Sequence, residues 1–235
     1  MSAKSLSGRA TKQRIYALLK SPDLASALNE ISRLPGRQVI NPLFSLLYNR
    51  DQDVRWSAVK AMGMVVAKMA DEDMESARVI MRRLMWNLND ESGGIGWGSP
   101  EAMGEIMACH HGLAKEYAHI LISYTREDGN YLEHEVLQRG LIWGIGRLAQ
   151  VSPHILQDGV QHLFPYLEST DATVRGLAAW VMGLLTVDDA VPQIRRLKND
   201  ENQIQMYTDQ GLVNCRVMDL AEEALDIIQG KTDTF

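Results

Sequence analysis

Residues 53–63 read DVRWSAVKAMG and residues 173–183 read TVRGLAAWVMG. Both blocks open on a Val-Arg pair, carry alanines at helical spacing and close on Met-Gly. Three further blocks end in step with them: GWGSPEAMG at Gly104, LQRGLIWGIG at Gly146 and CRVMDLAEEALD at Asp226. Successive ends lie 41, 42, 37 and 43 residues apart. Each block follows another apolar stretch of helical spacing, at 39–48, 77–88, 117–124, 155–167 and 191–197. A period near 40 with two helices per unit is the pattern of an α-solenoid. Small residues keep the same phase: Ala61, Gly63, Ala102, Gly104, Gly144, Gly146, Ala179 and Gly183. Neighbouring helix pairs stack closely at such positions, and a large side chain would hold them apart. An ordinary helical bundle does not need small residues at regular intervals.

Outward from the repeats, residues 1–10 are polar, small and basic and are expected to fray. Ile15, Tyr16, Leu18 and Leu19 have helical spacing, and Ser21-Pro22-Asp23 breaks that helix and caps the next. Leu24, Ala27, Leu28, Ile31 and Leu34 form an amphipathic stripe that ends at Pro35-Gly36. Asn199–Asn214 is polar and long for an inter-helix connection. It is expected to project Met206 and Tyr207, either as a solvated loop or as a lid or docking loop over one end of the groove. The expected fold is all-α: a right-handed α-α superhelix of about five helix pairs behind an N-terminal helical cap. One repeat domain, 11–229, would lie between flexible segments 1–10 and 230–235.

The chain resembles the HEAT-repeat family at Asp53-Val54-Arg55 with Ala58, Ala61 and Gly63, and at Asp171 with Val174-Arg175, Ala178 and Gly183. In that family an acidic turn residue precedes a Val-Arg pair that opens the second helix of the repeat. The resemblance runs as a pattern over residues 39–229. The second repeat departs from it, with Gly-Trp-Gly-Ser-Pro in place of the Val-Arg opening, and in the third repeat Arg139 is displaced. The resemblance implies a superhelix whose concave face, lined by second helices, binds proteins. It names no partner.

Composition narrows the function classes. The 235 residues are 46% hydrophobic, enough for one sizeable core or one repeat array. A net charge of −6 argues against nucleic-acid binding, whose affinity comes from cations neutralising phosphates. Cys109 and Cys215 stand far apart without CxxC spacing, so neither a disulfide framework nor a zinc site is indicated. A reducing, cytoplasmic setting is the simplest expectation. No apolar segment follows the basic N-terminus as in a signal peptide, and no run reaches 18 apolar residues.

The least ordinary stretch is Trp86–Ile106, where Gly93, Gly94, Gly96 and Gly98 surround Trp97 and Ser99-Pro100-Glu101 opens a helix. Ser99 suits the N-cap, Pro100 the first helical position, and Glu101 the positive helix end. A phosphate nest is disfavoured. The Lys-Ser/Thr of a P-loop and the GxGxxG pattern are missing, and Asp90, Glu91, Glu101 and Glu105 repel phosphate. The plain reading is a long turn with Trp97 packed as a plug. The sharper one is a loop shaping a concave binding site, with Trp97 as its aromatic wall and Glu101 one turn on. Trp56 and Trp97 sit seven residues before their repeat glycine, and Trp143 and Trp180 three before theirs. Matched phases suggest rows, either packed between helices or offered to a partner.

His110-His111 point about 100° apart on a helix and make poor joint ligands. Glu133-His134-Glu135 falls at the start of the second helix of repeat three. The HEAT-built di-iron enzyme deoxyhypusine hydroxylase carries His-Glu pairs at one phase in successive repeats. Here the other repeats supply Trp56-Ser57, Trp97-Gly98 and Gly176-Leu177 near that phase, so the di-iron ligand set is missing. The HEAT-built alkylpurine DNA glycosylases combine concave tryptophans, a carboxylate and basic residues. Trp97 and Glu101 at i, i+4 are similar to that pairing, without the basic lining. The bilin lyases offer a third analogy, without a matching motif.

The sequence therefore predicts a non-enzymatic protein-binding scaffold, with no metal and no cofactor. Its acidic, Trp-lined concave face would use Asp90, Glu91, Trp97, Glu101, Glu105, Glu133, Glu135 and Trp143 to hold a protein or basic peptide segment. Neither nucleic acid nor membrane is an expected partner. The alternative is an enzyme or small-ligand-binding protein, glycosylase-like or lyase-like, with its site near Trp97 and Glu101.

Overall fold

A computed structural model of the protein describes residues 8–89 and 96–230. The expected flexibility of 1–7 and 231–235 lies outside the described residues, whereas residues 8–10 already form the first turn of a helix. The chain divides into two compact units, Met1–His110 and His111–Phe235.

The first unit holds α1 (Gly8–Leu19), α2 (Leu24–Ser32), α3 (Gly36–Leu46), α4 (Gln52–Glu72), α5 (Met74–Leu88) and α6 (Ser99–Cys109). The long α4 is its centre and packs against α2, α3, α5 and α6. It starts where the Asp51 carboxylate accepts hydrogen bonds from the Asp53 and Val54 amides. It stops at Asp73, whose extended backbone leaves the helix and whose carboxylate caps α5 through the Glu75 amide. Val54, Ala58, Met62 and Val66 on α4 are wholly buried. A Cβ on Gly63 would come within 2.6 Å of Glu105 Cγ, so the repeat glycine lets α4 and α6 approach.

The second unit holds α7 (His111–Ser123), α8 (Glu135–Ala149), a 3-10 helical segment (Pro153–Glu168), α9 (Ala172–Leu184), the short α10 (Val191–Arg196), strands β1 (Gln203–Thr208) and β2 (Gly211–Arg216), and α11 (Val217–Ile228). The central α9 packs against both α8 and α11. The same rule of small residues holds at both contacts. A Cβ on Gly146 would lie 2.0 Å from the Trp180 ring, and one on Gly183 would lie 2.6 Å from Ala224 Cα. Arg139 on α8 pairs through its guanidinium with Asp171, which also caps α9 by accepting from the Val174 amide at 3.0 Å. Arg175 on α9 pairs in turn with Asp200.

Two local expectations are corrected. The apolar stretch 155–167 winds as a 3-10 segment, not a regular helix; Pro165 inside it lacks the N–H that an α-ladder requires. Asn199–Asn214 is not a solvated loop. It forms the antiparallel hairpin β1–β2, with Gln203 opposite Arg216 and Thr208 opposite Gly211. Met206 and Tyr207 are buried, not projecting. Ile204, Met206 and Thr208 alternate with Gln203 and Gln205, which is strand periodicity, and Ile204 packs at Gly176 on α9.

The end of α9 carries local strain. The Val187 amide bonds back to the Met182 carbonyl and the Thr186 amide to that of Gly183, the bond pair of a Schellman turn. Its left-handed position, usually glycine, is occupied by Thr186 with φ of 50°. A β-branched residue is disfavoured there. Thr186→Gly is expected to raise unfolding stability by about 1 kcal/mol, read as a later midpoint in urea with unchanged slope. A midpoint that stays put or falls would contradict the strain.

Candidate functional site

In the second unit, the turn after α7 and the 3-10 segment border a cleft of about 680 Å³. The turn is held by local bonds: the Asn130 amide donates to the Ser123 carbonyl, the Leu132 amide donates to the Tyr124 carbonyl, and Leu132 is buried as an anchor. Glu127, Asp128, Glu133 and Glu135 line the cleft; among the described residues Arg126 is its one arginine and no lysine lines it. Arg126 is already engaged, donating from Nε and Nη2 to the two Asp128 oxygens at 2.9 and 2.7 Å. That clasp holds the Asp128 carboxyl below its usual range.

Tyrosines give the cleft an aromatic lining. Tyr131, 38% exposed, accepts a hydrogen bond at its hydroxyl from Gln138 Nε2, which also donates to the Leu132 carbonyl. The Tyr166 hydroxyl donates to the Thr125 carbonyl at 3.3 Å, and burial pushes its phenol well above the ordinary value. It therefore stays neutral. A surplus of carboxylates beside the exposed Tyr131 ring is a lining whose chemistry suits a cation: the acids supply charge and the ring face a cation–π surface.

In the first unit, the predicted site residues gather at the start of α6. Gly98 has φ of 74°, with Leu47 backbone and side-chain atoms about 3 Å from where a Cβ would stand, so only glycine fits. Gly98 takes the cap position, and Ser99 becomes the first helical residue instead of the expected N-cap. The Ser99 hydroxyl is buried without a hydrogen-bond partner among the described residues. Glu101 is buried, and its Oε2 likewise has no hydrogen-bond partner among them. Burial pushes its carboxyl pKa up, more strongly than its own backbone amide and the charge of Arg55 pull it down.

Glu105, one turn on, is also buried and lies 2.9 Å from Lys60 Nζ on α4. Cys109 Sγ donates weakly to the same carboxylate oxygen. Trp97 is 44% exposed and sits in the turn before the helix, so the expected helical i, i+4 face with Glu101 does not form. Trp56, at the matched repeat phase, is buried instead.

The predicted residues thus fall into separate groups. Trp97, Glu101 and Glu105 share the start of α6; Glu133 and Glu135 share the acidic cleft. Trp143 is 4% exposed, donates from Nε1 to the Tyr207 carbonyl at 2.9 Å, and meets the Tyr207 ring edge-on at 6.2 Å. Its ring serves as a support for the hairpin. Asp90 and Glu91 lie outside the described residues. The sequence reading missed Glu127, Asp128, Tyr131 and Tyr166; the Glu-Asp-Gly turn signature at 127–129 was the available hint.

These features define an α-solenoid with an acidic cleft, and the comparisons agree on the class. The HEAT-like repeat family model matches residues 136–185, which span α8 and α9. The chain has a HEAT/armadillo-like repeat fold. It is similar to an uncharacterized protein of Archaeoglobus fulgidus, with 26% identity over 189 residues covering 78% of this chain and 94% of that one. Among solved structures it resembles a designed armadillo repeat protein in complex with the peptide (KR)4, with a TM-score of 0.52 and 19% identity over 93% of this chain and 99% of that one. It also resembles Kap95p, described binding RanGDP, with a TM-score of 0.61 and 15% identity over 96% of this chain and 29% of that one. The structural likenesses speak to the fold. Among the described residues, no helix is long and apolar enough to cross a membrane.

Proposed function

We propose that this chain is a protein-binding repeat scaffold that receives a cationic peptide segment, with the acidic cleft of the second unit taking its basic side chains. The observation that carries the reading is the cleft lining: four carboxylates, one arginine already clasped to Asp128, and two tyrosines. Charge along the chain supports it. Residues 1–110 hold 14 Lys and Arg against 12 Asp and Glu, whereas residues 111–235 hold 10 against 18. The second unit therefore steers cations. Among fold neighbours, a designed armadillo repeat protein is in complex with (KR)4, a peptide of the chemistry this cleft suits. We place the protein in a reducing cytoplasm, in keeping with the free thiols of Cys109 and Cys215.

The test is fluorescence anisotropy with a labelled (KR)4 peptide at two salt concentrations. The Glu133→Gln, Glu135→Gln double variant is expected to bind roughly 5- to 30-fold more weakly at low salt, as two partly exposed charge pairs contribute about 1–2 kcal/mol together. The difference should shrink as salt screens it. Equal affinity of the folded variant and the parent would sink the reading.

A second reading is favoured by one observation: the buried Ser99 hydroxyl and Glu101 Oε2, without hydrogen-bond partners among the described residues, in the first turn of the helix that follows the exposed Trp97. Two buried hydrogen-bonding groups without partners suit a small polar ligand at the start of α6. Native mass spectrometry of the purified protein separates the readings. A bound small molecule lost in Glu101→Ala would favour the ligand site over the peptide scaffold.

A further inference from the structure

The hairpin in the second unit has one closed edge and one open edge. Backbone groups alternate along an antiparallel strand, so residues not bonded across the ladder point their N–H and C=O outward. The Tyr207 carbonyl accepts from Trp143 Nε1, which marks Tyr207 as outward-pointing on β1. Its ladder partner is Leu212, so Leu212 points outward on β2, and with it Asn214 and Arg216. The Arg216 amide confirms the parity, because it bonds to the Asp219 carboxylate outside the ladder. On β1 the edge is closed by Trp143 and by packing on α9. On β2 the outward N–H and C=O of Leu212 and Asn214 have no hydrogen-bond partner among the described residues.

Natural edge strands are blunted by Pro, Lys, bulges or cover. Residues 212–215 read Leu-Val-Asn-Cys, and the register through them is continuous, without a bulge. Val213 and Cys215 share the face of buried Met206 and Ile204 yet remain half-exposed at its rim. The surroundings are acidic. Asp219 and Glu223 act on Cys215, and Glu201 and Glu222 act with Asp219 on Arg216. The cations there are engaged: Arg216 with Asp219, and Lys198 with Glu222. A second copy of the chain would bring the same negative charge to this edge and be repelled. An extended segment with basic side chains meets both the hydrogen-bonding edge and the charge.

We infer that β2 accepts an extended cationic peptide segment as a third strand, paired through the backbone of Leu212 and Asn214. The inference rests on the cationic-partner reading and adds a contact outside the cleft: main-chain bonds hold the segment while its basic side chains meet Glu201, Asp219, Glu222 and Glu223.

The test compares (KR)4 with the same peptide N-methylated at alternate residues, which keeps every charge and removes backbone donors. Both are titrated into the full chain and into Asn214→Pro and Asn214→Ala. Asn214→Pro deletes an outward N–H that the β1–β2 ladder does not use. N-methylation and Asn214→Pro are each expected to weaken binding about tenfold, with Asn214→Ala within about twofold of the parent. If (KR)4 binds but neither N-methylation nor Asn214→Pro changes its affinity, the third strand is overturned and the cationic-partner reading stands. If (KR)4 does not bind at all, both fall. Amide signals of 212–215 that shift with protein concentration alone would place a second copy on the edge and overturn the assignment. Should Asn214→Pro lose its fold by circular dichroism, the N-methylated peptide on the parent chain decides the matter alone.

Discussion

Gly146→Ala is expected to destabilise the second unit by about 2–3 kcal/mol, although alanine is the better helix former by roughly 1 kcal/mol. The added Cβ would stand 2.0 Å from Cζ3, 2.6 Å from Cη2 and 2.7 Å from Cε3 of Trp180. A flexible side chain could swing its tip aside. An indole is rigid and must move as a whole, and Trp180 is 5% exposed in a packed interior. Either the ring leaves its rotamer or α8 and α9 separate, and each route loses contacts along the interface. Urea denaturation measures the loss. The double variant Gly146→Ala, Trp180→Leu should lose less than the sum of its parts, because the smaller side chain makes room for the methyl. Strict additivity, or a Gly146→Ala midpoint equal to the parent's, would contradict the contact.

Glu101 is expected to make the protein less stable as pH rises from mildly acid to neutral. Burial raises its folded-state pKa above the ordinary carboxylate value of 4.5. Between the unfolded and folded values the native chain holds the proton more tightly than the unfolded chain does. Its stabilising contribution is full below the unfolded value and is lost as pH rises through the folded one. Within that window the slope reaches about 1.4 kcal/mol per pH unit for a single proton. Glu101→Gln keeps the shape and removes the titration. Its melting temperature should match the parent near pH 4 and exceed it increasingly above that. Parallel curves from pH 4 to 9 would count against a raised carboxyl. Asp171 and Asp200 act in the opposite sense. Burial is the largest influence on Asp171 and pushes it up, but Arg139 and the cap amides together outweigh it and hold it low; Arg175 holds Asp200 low. Their contribution is present above the ordinary carboxylate value and is lost only as pH falls through the lowered ones.

Much of the fold was legible because it rests on local rules. The Val-Arg blocks mark α4 and α9, and the small residues at Gly63, Gly146 and Gly183 mark helix contacts that leave no room for a Cβ. The hairpin was hidden by its polarity, since Gln203, Gln205 and Asn214 read as loop. The alternation of Ile204 and Met206 with glutamines was the legible signal, spread over only a few residues. The cap of α6 was misread because Ser99 is the better capping residue in isolation, yet the closeness of Leu47 forces the turn onto Gly98. Glu133 and Glu135 could be named from sequence, but not the cleft they line. Its wall includes His162, Pro165 and Tyr166, about 30 residues further on and brought near only by packing.

Asp171 has a consequence for how the second unit assembles. Its carboxylate starts α9, and the guanidinium that holds it belongs to α8; Arg175, carried by α9, then reaches Asp200, whose carbonyl accepts from the Met218 amide in the first turn of α11. The starts of α9 and α11 are thus tied to α8 and α9, the inner helices of the repeats before them. Helix nucleation is the unfavourable step in helix formation, and here it is made easier by a neighbour already in place. Such nearest-neighbour coupling lets order spread along the array from wherever it begins. Cutting one link, as Arg139→Ala would, should slow that spread at α9 even where the loss in equilibrium stability is small.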